Sequence, residues 1–389
     1  MKILVTNHHL QTYTGTETST LTLCKYLSRF RHSVTVYSKF FSDEIFNQFL
    51  NLNVRPIKTL EEVSGENFDI GHIHHNICAY EVRNKYPKLP LIMWVHGVIP
   101  FLCQPPLIDL NISCFLVNNI EGKNYIAKFG INKKKIIIFK NIVDKEIFNP
   151  TSIINTKPQK ALILSNKIGP KKENMIKSAL DRLNIKYTFV GARFKPVPNF
   201  QLSSYINQSD VVFTVALGAM ESMFCGRIPI LFDDNYSDFN DGIVTTKNFK
   251  YLKDYNFSGR ATKQIFTPKT LKGEIKKYRQ EDGEKLKFMA LKLYDANIQI
   301  KKLISIYEKT INGFHPVMIS LPKQKIIDTI LQSVDITLQY SKSNNYIHNQ
   351  EIFSHYEKTV DELNQLKNSK FFKLWPLYNK LINLIIHER

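Results

Sequence analysis

The chain begins with Lys2-Ile3-Leu4-Val5-Thr6, continues through Thr14-Gly15-Thr16-Glu17, and reaches Val34-Thr35-Val36-Tyr37 with Leu21, Cys24 and Leu27 between. Residues 2–6 are a short apolar run closing on a polar residue, the pattern of a buried parallel strand. Thr14 and Glu17 stand three apart, as in a capping box, so a helix starts there. Leu21, Cys24 and Leu27 follow at helical spacing, and residues 34–37 form the next strand. A strand, a glycine-bearing turn, a helix and a strand in so short a span make a βαβ unit, and a βαβ unit requires a parallel sheet.

The same alternation continues outward. Ile70–His74, Leu91–Val95, Cys114–Val117 and Ile136–Phe139 read as strands. Asn149–Lys160 is polar and carries Pro150 and Pro158, which marks a domain linker. A second α/β series then follows, with strands at Ala161–Leu164, Tyr187–Val190, Val211–Thr214 and Ile228–Phe232. One helix over Glu284–Thr310 is expected to close this second half, from Leu286, Leu291, Tyr294, Ile298, Leu303 and Tyr307. No glycine follows Gly313, and Phe353, Tyr356, Val360 and Leu363 alternate spacings of three and four, which predicts a helical tail. The expected fold class is therefore α/β, two Rossmann-like domains facing a cleft with a C-terminal α-helical tail. The boundaries are 1–150, 151–312 and 313–389.

Composition narrows the function classes. The 389 residues are 43% hydrophobic and 12% aromatic, enough for real cores. Five scattered cysteines with no CxxC indicate neither a disulfide framework nor a zinc knuckle and suit a reducing compartment. The N-terminus has no signal-peptide pattern, and no run of about 18 apolar residues occurs. The expectation is a cytoplasmic protein that also docks peripherally on the inner face of the membrane. Of the net charge of +19, only +2 lies from residue 313 onward, where nine Lys/Arg meet seven Asp/Glu. Such a field attracts anions: a nucleotide, a lipid pyrophosphate or a phospholipid surface. No recognition motif accompanies the charge, so nucleic acid is not an expected partner.

Open parallel sheets bind ligands at the carboxyl ends of their strands, so the chemistry belongs there. Gly15 opens a helix after the first strand, where bare N–H groups and partial positive charge suit a phosphate. His96-Gly97 follows the strand Leu91–Val95, and an imidazole there can hydrogen-bond a hydroxyl or carry a proton. His72 and His74 share a strand face with His75 beside them, but no nearby carboxylate or cysteine completes a metal set. Gly218-Ala219-Met220-Glu221 opens a helix after Val211–Thr214 and offers a diphosphate cradle of backbone N–H groups. Glu221 would repel that phosphate and is better placed on ribose hydroxyls. Each segment also has a plain reading, as an ordinary turn, a capped strand end or a helix-capping glutamate.

Taken together, residues 1–312 resemble a family 4 glycosyltransferase of the GT-B fold. Thr14-Gly15-Thr16-Glu17 is similar to that family's Gly-Gly-x-Glu loop, and Asp69-Ile70-Gly71-His72-Ile73-His74 to its Asp-x-x-His-x-His strand. Trp94-Val95-His96-Gly97 resembles its histidine strand end. Asn141-Ile142-Val143-Asp144 through Phe148 resembles Asn-Gly-Val-Asp-x-x-x-Phe. Glu221-Ser222-Met223-Phe224-Cys225-Gly226-Arg227-Ile228-Pro229 resembles Glu-Ala-Met-Ala-Cys-Gly-x-Pro. Three positions depart from the pattern. Phe213 replaces the first of the paired glutamates, Thr14 replaces a glycine, and Lys167 with Lys171 or Lys172 stands where an Arg and a Lys clamp the diphosphate. Lysine serves that role as a point charge without the bidentate fork of arginine.

The resemblance implies a retaining transfer from a nucleotide-sugar donor to a glycan or lipid-linked glycan acceptor, in cell-surface polysaccharide synthesis. Residues 1–150 would face the acceptor and 151–312 the donor. His96, Lys167 and Lys172 are the expected catalytic residues. Gly15, Lys171, Gly218, Ala219, Met220 and Glu221 are expected to bind donor. No metal or other cofactor is expected, since helix N-termini and lysines would stabilise the leaving diphosphate. An anionic membrane surface and self-association through the tail are further expected partners, the former suited by the aromatic, lysine-bearing stretch Phe371–Lys380. A nucleotide-sugar 2-epimerase of the same fold and a non-catalytic glycan- or nucleotide-binding relative remain the alternatives, the second because of Phe213.

Overall fold

A computed structural model describes residues 1–97, 101–191, 194–233 and 237–317, together with 327, 328 and 331. The stretch Phe371–Lys380 and nearly all of the tail lie outside these residues. Met1–Ile319 is one compact unit, and everything below belongs to it.

In its first half the chain runs β1 (Lys2–Thr6), β2 (His9–Leu10), α1 (Gly15–Arg29), β3 (Ser33–Tyr37), β4 (Phe40–Phe41), α2 (Asp43–Asn51) and β5 (Arg55–Ile57). It continues through β6 (Ile70–Ile73), α3 (Asn76–Lys85), β7 (Leu91–Val95), β8 (Cys114–Val117), α4 (Ile120–Ala127) and β9 (Ile136–Ile138). Seven strands form one parallel sheet in the order β5-β3-β1-β6-β7-β8-β9. The doubly wound order puts β1 in the interior of the sheet, where Val5 pairs with Val36 on one side and His72 on the other. The capping box at Thr14 and Glu17 forms as the sequence predicts. β5 escapes the sequence reading because Pro56 interrupts it, and an edge strand tolerates a missing N–H.

The second half contains β10 (Lys160–Leu164), α5 (Pro170–Asp181), β11 (Lys186–Val190), α6 (Asn199–Asn207), β12 (Val211–Thr214), α7 (Leu217–Phe224) and β13 (Ile228–Phe232). It ends with β14 (Phe239–Ile243), α8 (Phe249–Leu252), β15 (Gln264–Ile265), α9 (Pro268–Ile275), α10 (Gln280–Tyr294) and α11 (Ala296–Asn312). Its sheet runs β11-β10-β12-β13-β14-β15, parallel as far as β13 and antiparallel beyond. The polar sequence of β14 carries no strand signal of its own, because the ladder and not the side chains defines it.

The single helix expected over Glu284–Thr310 is two helices, and this corrects the second boundary. Asp295 is extended (φ −58°, ψ 123°), its carboxylate accepts the Asn297 N–H at the start of α11, and it pairs with Lys145 at 2.9 Å. Around it the chain pairs with the first crossover: Val143 N–H donates to Tyr294 O and Ala296 N–H to Val143 O. α10 packs on α7 in the second half, whereas α11 returns to the first half and buries Ile300, Leu303 and Tyr307 in its core. Residues 296–312 therefore belong by packing to the first half.

The expected linker is pinned rather than loose. Asp210 accepts N–H groups of Asn155, Gln159 and Lys160, and the buried Arg227 donates to Ser152, Cys225 and Asn207. Residues 150–159 thus travel with the second half, and the true crossover is the pair of strands at Val143 and Asp295.

Candidate active site

The carboxyl ends of the first sheet gather histidines. β1 runs into His8 and His9, β6 into His74 and His75, and β7 into His96; His9 touches both His8 and His75, while His74 touches both His96 and His72 within β6. His74 Nδ1 lies 2.7 Å from His96 Nε2, and the two rings stack at 4.9 Å. Trp94 packs against His72, His74 and His96 and donates its indole N–H to Asn118. Asn118 in turn donates to the His96 carbonyl at 3.3 Å. Tyr307 of α11 meets His72 Nδ1 at 2.6 Å, so the returning helix supports the cluster from behind.

Burial pushes His96 and His72 down to about 3 and His8 down to about 4, and holds His74 and His75 well below the usual imidazole value. His96 is therefore neutral near pH 7. As a neutral, half-buried ring it can exchange hydrogen bonds with a hydroxyl. Among the described residues no group of three or more His, Cys, Asp or Glu is arranged to hold a metal ion.

Gly15 is exposed at the first turn of α1 and meets nothing where a side chain would project. The loop before it is shaped by Glu17, whose buried carboxylate accepts the N–H groups of Gln11, Thr12 and Thr14 and the Thr12 hydroxyl.

In the second half the structure places the lysines differently from one another. Lys167 is exposed, after β10. Burial raises the Cys103 thiol to about 11, opposed by a backbone hydrogen bond from Gly97 and by the Lys167 charge, which sets Lys167 near Cys103 of the first half. Lys171 is 79% exposed and pairs with Asp238 at 2.5 Å. Lys172 departs from its expected catalytic placement. It is buried, and its ammonium donates to the carbonyls of Asp233, Ser237 and Phe239. A buried ammonium needs such acceptors, and here it ties α5 to the start of β14.

The α7 turn also corrects an expectation. Ala216, its N-cap, has φ +49° and ψ −118°, a strained conformation for a residue with a side chain. The strain tightens the turn, so the N–H groups of Gly218, Ala219 and Met220 already bond Val215 O and Ala216 O at 3.1–3.4 Å. They form no open diphosphate cradle. Gly218 is required instead for close packing, because a Cβ there would strike the Thr214 hydroxyl and crowd Leu164. Glu221, one turn on, is only 5% exposed and has no hydrogen-bond or ion-pair partner among the described residues. Desolvation alone pushes its carboxyl up to about 8. Phe213 is a core residue of β12.

Sequence reasoning did not single out His8 and His9, although two histidines directly after a central strand were a visible signal. It also passed over Arg260, which reaches Glu121 of the first half at 3.4 Å and Asp233 of the second at 3.7 Å. Asn141 similarly donates to Asn256 across the halves.

No protein-family model and no curated protein matches the chain. Solved structures do. Anabaena Alr3699/HepE, solved in complex with UDP-glucose, is similar over 79% of this chain and 100% of that one, at 12% identity and a TM-score of 0.57. A glycosyltransferase from Rickettsia africae ESF-5 matches 80% and 99% at 13% identity and a TM-score of 0.54. AviGT4, a glycosyltransferase involved in avilamycin A biosynthesis, matches 81% and 99% at 10% identity and a TM-score of 0.51. At such identities the likeness is one of fold, and the fold is GT-B.

Proposed function

We propose that the protein is a glycosyltransferase that moves a sugar, with retention, from a nucleotide-sugar donor to a glycan or lipid-linked glycan acceptor in cell-surface polysaccharide synthesis. The observation that carries this reading is Glu221. A buried carboxyl with no partner among the described residues, one turn into a helix at the carboxyl end of a parallel strand, suits the hydroxyls of a nucleotide ribose. UDP-glucose in the complex with Alr3699/HepE, a protein of the same fold, supports the donor class. In the proposed arrangement Lys167 and the amino end of α5 face the diphosphate, with Lys171 joining them from its exposed ion pair. Lys172 holds the 233–239 segment in place. Neutral His74 and His96 hydrogen-bond sugar hydroxyls, and the leaving diphosphate is neutralised without a metal. The charge of residues 1–312 and the stretch Phe371–Lys380 suit a peripheral position on the inner membrane face.

The test is a thermal-shift panel of UDP-, GDP- and ADP-sugars followed by a nucleotide-release assay with glycan acceptors. A ligand at 100 times its Kd stabilises the folded state by about 2.7 kcal/mol. At least one donor should raise Tm, and release should persist in EDTA. Failure of every donor to bind would end the transferase reading, and loss of release in EDTA with rescue by Mg²⁺ or Mn²⁺ would end the metal-free one.

A further inference from the structure

Outside the strand-end clusters a cavity of about 540 Å³ lies between α1 and α2 of the first half and α6 of the second, with crossover residues Asp144 and Ile147 in its wall. That volume is within the roughly 300–1,000 Å³ of small-molecule clefts. Its chemistry differs from that of the rest of a protein carrying a net +19. The one cation in its wall among the described residues, Lys25, is neutralised by Asp144 at 2.5 Å and Glu146 at 3.0 Å. The rest of the wall is mixed: a mostly apolar surface from Leu21, Leu52, Ile147 and Phe200, edged by the amides of Asn47, Gln48, Asn51 and Asn199 and by Glu44. Among the described residues an anion finds no free positive charge here.

Two features indicate a ligand. Asn199, at the start of α6, lines the cavity and is 93% buried; its Oδ1, shielded from solvent in this conformation, has no hydrogen-bond partner, and its amide donates to none of the described residues. A buried amide oxygen left unpaired is costly and uncommon in folded proteins. Its neighbour Phe200 leaves half of its side chain exposed on the same cavity. An aromatic face beside carboxamides matches a sugar ring, whose C–H face packs on the aromatic while its hydroxyls bond the amides. Glu44 and Gln48 are already oriented, since Tyr13 donates to Glu44 at 2.9 Å and accepts from Gln48 at 2.5 Å. Tyr13 adjoins Thr14-Gly15, so the cavity wall and the candidate donor loop are one connected piece.

We propose that this cavity binds an uncharged saccharide, the sugar chain of the acceptor, as a second carbohydrate site beside the strand-end cluster. Only the word acceptor rests on the transferase reading; the site itself does not. The test uses saturation-transfer NMR on the full chain with maltotriose, cellotriose, mannotriose, chitotriose and lacto-N-tetraose, and UDP titration in parallel. At least one saccharide should bind, and Phe200→Ala and Asn199→Ala should each weaken it by about ten-fold or more, an effect of ~1.4 kcal/mol. Both variants should keep their UDP affinity. Asn199→Ala should melt no lower than the parent protein, because it removes an unpaired buried oxygen. If no saccharide binds, if the variants bind as the parent does, or if Asn199→Ala melts clearly lower, the proposal is overturned. Saccharide binding lost in the variants, with no UDP binding to the parent protein, would retain the cavity as a saccharide site and remove the donor reading instead.

Discussion

At the scale of the residue, Glu221 shows how a functional side chain differs from a structural one. Asp144, Asp210 and Glu17 are equally buried, but each accepts two or more hydrogen bonds from the protein. Glu221 accepts none among the described residues, and its carboxyl rises from about 4.5 in the unfolded chain to about 8. The folded state therefore holds a proton that the unfolded state releases between those values, and this contribution to stability falls as pH rises from 4.5 to 8. Glu221→Gln removes the penalty. The variant should match the parent near pH 4 and exceed it at pH 8.5 by up to a few kcal/mol, since each pKa unit corresponds to about 1.4 kcal/mol. It should also bind donor about ten-fold more weakly, because the amide offers one acceptor oxygen where the carboxyl, ionised on binding, offers two to the ribose hydroxyls. Melting curves at the two pH values and calorimetry with UDP check both parts. A variant that melts lower at pH 8.5 and binds UDP normally would make Glu221 a helix cap. The residue was legible in the sequence from its place in a strand–glycine–helix segment. The closed turn before it was not, because nothing in the string Ala216-Leu217-Gly218 announces a positive φ at an alanine.

At the scale of the element, alternation alone disclosed ten strands, since strands buried on both faces are short apolar runs whatever their neighbours. It failed where an element is defined by its partners. β5 contains Pro56, β14 carries Asn240-Asp241-Gly242 at its middle, and the long final helix breaks at Asp295 because Val143 captures its backbone. The histidine cluster is likewise a product of adjacency: β1, β6 and β7 are neighbours in the sheet though distant in sequence. That adjacency carries a measurable pH dependence. His8, His72, His74, His75 and His96 stay neutral in the fold to pH values well below 6.5, the value of an unperturbed ring. On unfolding they take up protons throughout the window from about 6.5 down to 4, so stability falls as pH falls. Each such proton is worth ~1.4 kcal/mol per pH unit, and Glu221 opposes them with one proton against five. Melting temperature should therefore drop steeply between pH 6.5 and 5, before paired carboxylates titrate. A flat profile across that interval would mean that the rings are hydrated and protonate within the fold.

At the scale of the molecule, the chain crosses between its halves twice, at Val143 and Asp295, and the two crossings lie side by side as a parallel bridge. The first half is completed only by α11, which carries Tyr307 to His72. Any truncation inside 296–312 must therefore damage the first half, not the second. Among the described residues, this unit makes tertiary contacts just beyond α11: Arg83 stacks over Phe314, and Asn111 donates to the His315 carbonyl at 3.2 Å. With Met1–Ile319 forming one compact unit, a chain ended at Ile319 keeps both sheets, both crossings and every candidate site residue. It should fold, bind UDP as the full protein does, and retain its stability within about 1 kcal/mol, a Tm change of no more than ~2–4 °C for a unit of this size. A chain ended at Asp295 should fail to fold, because removing Ile300, Leu303 and Tyr307 forfeits ~1.5–3 kcal/mol for each large buried side chain and exposes the core beneath. Circular dichroism melts and UDP titration of the two truncations decide the matter. If the chain ended at Ile319 melts far below the full protein or loses UDP binding, residues 320–389 are part of the catalytic fold. If instead it behaves as the parent in both, membrane flotation and sedimentation of the two forms will then read out what the tail adds.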